Sequence, residues 1–124
     1  MKQLGKIYSA VDAEELEVGD IVLVSDEPIH ILQNDEYAEI GIIHHIHQNY
    51  CDAFYISETC CKHFAKLICP KKHAGIYWAF QNGAKIERYC YDDDYEDGEW
   101  CLDNKPFWYE DFEYRVAELP KGLH

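Results

Sequence analysis

The chain has 124 residues, is 48% hydrophobic and 15% aromatic, and carries a formal net charge of −13. That length suits one domain or two small lobes, and the apolar content excludes a disordered tail, which goes with few aromatics. The charge argues against direct binding of nucleic acid or of acidic membranes and favours a basic partner.

Residues 12–20, DAEELEVGD, read as a helical turn or loop closing on Gly19-Asp20. The IVLV run at residues 21–24 that comes next is strand-like, and a "VGD" turn before a β-branched run is how an SH3-like barrel often opens. Pro28 and Asn34-Asp35 mark loops. Residues 37–47 form the next strand candidate, with Ile40, Ile42 and Ile46 on one parity. Residues 54–57 are a third strand. Residues 64–69 are a fourth, although 58–67 also fit a short helix, and Pro70 stops either one. The longest apolar runs are strand-sized, so no transmembrane helix is expected. The opening MKQLGKIYSA lacks a signal-peptide core, which points to the cytoplasm and to reduced thiols.

Past Lys71-Lys72 the texture changes. Ile76, Ala79 and Phe80 recur at helical spacing, and Gly83 sits where a C-terminal cap belongs. Three strand candidates come after it, at 85–91, 99–102 and 113–118. The expected fold is α+β. A small β-rich, SH3-like lobe over residues 1–70 precedes a helix and a three-stranded antiparallel meander over residues 71–124.

The second lobe also carries a resemblance. Its pattern is Trp78-x-Phe80-x-x-Gly83-x-x-Ile86-x-x-Tyr89, then Trp100, Phe107-Trp108 and Phe112-Glu113-Tyr114-Arg115-Val116. This resembles a module of small phage and prophage accessory proteins, in which a helix ends in "NG", a lone Trp marks a strand, and "EYR" closes the unit. The resemblance implies a phage-encoded accessory protein in a host cytoplasm and brings no catalytic residue with it. The acidic insertion DDDYEDG is longer and more acidic than the module usually has.

Four groupings are candidates for chemistry. The first is the stretch 91–113, which holds ten of the 24 acidic residues, seven aromatics and one base, Lys105. A rigid row of carboxylates imitates the phosphates of duplex DNA, spaced about one charge per 1.7 Å of axis. Asp92, Asp93, Asp94, Glu96, Asp97 and Glu99 are the candidate contacts, with Tyr95 and Trp108 as aromatic anchors. The partner expected is a basic surface on a host nuclease or other nucleic-acid-binding defence protein, as for an anti-CRISPR or anti-restriction inhibitor. An EF-hand reading fails, because Tyr95 and Asn104 fall where ligands belong. A looser divalent-ion site at Asp92, Asp94 and Glu96 remains open.

The second grouping is Cys60, His63, Cys69 and His73, with Cys61 as an alternate, spaced Cys-x2-His-x5-Cys-x3-His. Zinc accepts thiolate and imidazole at short spacings, so a zinc-stabilised accessory protein is the alternative reading. The third is a thiolate pair of Cys60 or Cys61 with His63. Catalytic partners usually meet through the fold rather than by adjacency, so a non-enzymatic protein is expected. The fourth is the basic strip Lys62, Lys66, Lys71 and Lys72, which would suit an acidic face.

Overall fold

The computed structural model describes residues 2–47, 52–90 and 98–119. The chain divides into two compact units, Met1–Lys71 and Lys72–His124. It is a small, strand-rich α+β protein with antiparallel sheets. No helix among the described residues is long and apolar enough to cross a membrane.

The first unit lays down β1 (Ile7–Tyr8), a 3-10 turn at Ala13–Glu15, β2 (Ile21–Ser25), α1 (Pro28–Gln33) and β3 (Glu39–Ile42). It continues with β4 (His45–Ile46), β5 (Phe54–Tyr55), β6 (Cys61–Lys62) and β7 (Phe64–Cys69). Two sheets result, ordered β1-β7-β2-β3 and β4-β5-β6. All five residues of β2 are buried, because it is central in its sheet and α1 packs over it. Val22 and Val24 join Tyr8, Leu16, Ile43, Phe54, Ala65 and Leu67 in the core. Each such aliphatic side chain contributes about 1.5–3 kcal/mol on burial. The strand at 64–69 alternates in burial, which settles the ambiguity of residues 58–67 in favour of strand.

Two local readings change. Pro28 does not mark a loop. It occupies the first turn of α1, where a missing N–H costs nothing, and Asn34 ends that helix in the left-handed region at φ 48°. The single strand expected over 37–47 is two strands in different sheets, β3 and β4. Ile40 and Ile42 are consequently exposed at 48% and 41%, while Ile43, of the opposite parity, is buried.

The second unit begins with a 3-10 turn shared at Lys71–His73 and α2 (Ala74–Gln81). Gly83 lies just beyond at φ 100°, and its N–H and that of Ala84 donate to the carbonyls of Phe80 and Ala79. That is the capping role expected of it. Then come β8 (Lys85–Cys90), β9 (Glu99–Asp103) and β10 (Tyr114–Glu118). Their order is β10-β8-β9, so β8 is central and β10 returns beside it, where a simple meander would have placed β9 in the middle. Tyr77, Ala84, Ile86, Trp108 and Tyr114 are buried here.

Candidate functional site

Of the acidic–aromatic segment, Asp92, Asp93, Asp94, Tyr95, Glu96 and Asp97 lie outside the described residues. Glu99 opens β9 and is exposed. Trp108 is not a surface anchor. It is 5% exposed and packs its ring against Tyr77, Phe80 and Tyr114 at centroid distances of 5.7, 5.9 and 5.1 Å. Its backbone sits at φ 61°, a left-handed conformation that costs a bulky residue energy. The packed indole offsets that cost.

The flanking aromatics are the exposed ones. Phe107 is 65% exposed and Tyr109 45%, with their rings 5.8 Å apart. Tyr109 also meets Phe112 edge-on at 5.1 Å, and Arg88 lies over the Phe112 ring at 5.2 Å. Glu110, Asp111 and Glu113 are exposed beside them. Alternating exposure in Phe-Trp-Tyr was the signal that a reading of residue types alone missed. The base of the segment is braced by side chains. The Tyr89 ring meets Trp100 at 5.2 Å, and Arg115 lies over Trp100 at 4.2 Å while donating to Glu87 at 2.9 Å. Cys90 and Cys101 share a thiol hydrogen bond, which with burial pushes Cys101 up to about 11.

The thiol–imidazole set is not brought together. Among the described residues, Cys60, His63, Cys69 and His73 form no group of three ligand atoms within metal-binding reach. Each has another partner. The Cys60 thiol donates to Glu39 Oε2 at 3.3 Å, and burial, followed by that carboxylate, raises its pKa. Cys69 is wholly buried and donates to the Pro70 carbonyl, with burial pushing its thiol up to about 12. His73 belongs to the second unit, where its Nε2–H donates to the Tyr109 carbonyl at 2.9 Å. Burial holds it below the ordinary histidine value. His63 turns to Asp52, with Nε2 2.6 Å from Oδ1. The thiolate-pair reading loses its base for the same reason.

A different grouping forms instead. Asp26, Asp52 and His63 bring one ligand atom each within 4.8 Å of one another. Strand register explains the convergence. Ser25 pairs with Phe64 across β2 and β7, so Asp26 and His63 are the next residues out on that ladder. Phe54 pairs with Lys62 across β5 and β6, which carries Asp52 to the same corner. Lys62 Nζ stands 3.7 Å from Asp26 Oδ2. A neighbouring pocket of about 190 Å³ is lined by Ser25, Asp26, Glu27, His30, Tyr37 and Lys62. His30 is fixed there by Asp35 at 2.9 Å and meets the Tyr37 ring at 4.8 Å, tilted by 45°. That hydrogen bond to His30 is the main cause lowering the Asp35 pKa.

No family model, no curated protein and no solved structure matches the chain.

Proposed function

We propose that the protein is an acidic, non-enzymatic binding protein whose 91–113 segment docks on a basic, nucleic-acid-binding protein surface. The observation that carries this reading is where the charge sits. Outside 91–113 the second unit holds Lys72, Lys85, Arg88, Arg115 and Lys121 against only Glu87 and Glu118, whereas inside it ten acids face one lysine. The acid is concentrated on one stretch of an otherwise basic unit rather than spread for solubility. Phe107 and Tyr109 supply exposed aromatic area of the kind that interface hot spots favour, and exposed Glu110 and Asp111 beside them supply charge for a basic partner. The sharper form of the proposal is a phage inhibitor of a host defence nuclease of the CRISPR or restriction type, occupying the groove that binds DNA.

The test is inhibition of host defence nucleases by two proteins: the natural chain, and a variant with Asp92, Asp93, Asp94, Glu96, Asp97 and Glu99 changed to their amides. The natural chain should inhibit, duplex DNA should compete with it, and inhibition should weaken as salt screens the charges. A folded amide variant that inhibits equally well overturns the reading.

A further inference from the structure

We infer that Asp26, Asp52 and His63 form a binding site for a first-row divalent cation such as Zn2+ or Mn2+, independent of the acidic segment. Two carboxylates and one imidazole are a ligand set that such ions accept, with remaining positions left to water. The three side chains come from different strand ends, and the paired registers of β2–β7 and β5–β6 fix their meeting. Asp26 and His63 lie one residue beyond the Ser25–Phe64 pair, and Asp52 lies two residues before β5.

The local electrostatics ask for a cation. The Asp26 and Asp52 ligand atoms approach within 4.8 Å in a chain of net charge −13, so their repulsion must be offset. Lys62 Nζ stands 3.7 Å from Asp26 and His63 Nε2 stands 2.6 Å from Asp52. A divalent ion would replace both contacts, with His63 Nε2 as a ligand and Lys62 displaced as a competing positive charge. The same corner borders the pocket lined by His30 and Tyr37, since Asp26 belongs to both. None of the four zinc candidates except His63 takes part, so the site is oxygen-rich rather than sulfur-rich.

The experiment uses the full chain, stripped with chelator and titrated with Co2+ as a spectroscopic stand-in and with Mn2+ by electron paramagnetic resonance. The expected result is one ion per chain, with visible d–d absorption and without a thiolate-to-cobalt charge-transfer band. Asp26→Asn, Asp52→Asn and His63→Gln should each weaken binding by about tenfold or more. Lys62→Met should tighten it, because the competing ammonium is gone. That gain is a readout that loss of fold cannot imitate. Non-saturable binding, a thiolate band, or ligand variants that bind as well as the natural chain would overturn the site. So would a Lys62→Met protein whose affinity is unchanged or lower.

Discussion

Replacing Asp20 with alanine should destabilise the first unit by about 3–5 kcal/mol, the range for stripping one member from a buried charged network. The magnitude comes from the contacts Asp20 holds. It is wholly buried, and Oδ1 accepts from the Lys71 N–H at 2.7 Å and from Lys2 Nζ at 2.9 Å. Oδ2 accepts from the Glu17 N–H at 2.9 Å. The Asp20 carbonyl also takes the Ile43 N–H at 2.9 Å. One side chain therefore ties the N-terminal segment, the turn before β2 and the residue after Pro70. Alanine leaves two backbone donors unmet, at about 1–3 kcal/mol each if water cannot reach them. Lys2 keeps Glu17 at 3.1 Å, so its loss is partial. Asparagine should cost less than alanine, because its carbonyl still accepts from one N–H while its amide opposes the other. All three tryptophans, Trp78, Trp100 and Trp108, lie in the second unit, so their fluorescence reports the wrong half. Urea unfolding should be followed by amide hydrogen exchange at Val22 and Val24. A shift below about 1 kcal/mol for Asp20→Ala, smaller than one unmet buried donor, would refute this account of the turn.

Two further outcomes are expected. Trp108→Ala should cost about 3–5 kcal/mol through the cavity left among Tyr77, Phe80 and Tyr114, whereas Phe107→Ala should leave stability within about 0.5 kcal/mol and weaken partner binding instead. Exchange protection at Ile86 measures the first, and equal losses for both would contradict the assigned burial. The first unit should lose stability above pH 9, because folded Cys69 keeps its proton up to about 12 while the unfolded thiol releases it near 9.0. The folded state then binds more protons, so stability falls as pH rises, by about 1.4 kcal/mol per unit between those values. Cys69→Ala should flatten that slope in urea titrations. An unchanged slope would mean that the thiol ionises freely.

How much of this was legible in the chain depends on how local the cause was. The strand at β2 was readable because every residue is apolar or small and Gly19-Asp20 announces it. Gly83 was readable because a helix stop needs a left-handed residue. Pro28 misled because proline serves equally in a loop and in a first helical turn, and only the hydrogen bonds of residues 30–34 tell the two apart. The Ile40–Ile42–Ile46 parity failed for a physical reason: parity holds within one sheet, and the chain changes sheets between Ile42 and His45. Trp108, at φ 61°, is the buried one of three consecutive aromatics, which residue type alone does not indicate. The zinc grouping was not legible as separate residues because short spacing in sequence does not make proximity when each side chain faces another partner. Asp26, Asp52 and His63 span 37 positions in sequence and meet only through two ladders, so no spacing rule could have found them.

The two candidate sites make different demands on the same excess charge. In the first unit much of the acid is committed internally: Glu17 and Asp20 to Lys2, Asp12 and Glu15 to Lys6, Asp35 to His30. Each lysine here answers two carboxylates, so this pairing sets structure and still leaves each group net negative. In the second unit the bases are the committed partners, Arg115 to Glu87 and Lys85 to Glu118, both lying outside the 91–113 segment. Arg88 and Arg115 nonetheless lie over Phe112 and Trp100 of that segment, and Lys72 donates to the Glu110 carbonyl at 3.2 Å. Ten acids against one lysine within 91–113 still leave an excess for a basic partner to meet, and salt should weaken such an encounter more than it weakens the fold. A cation at Asp26, Asp52 and His63 would alter only the first unit's charge.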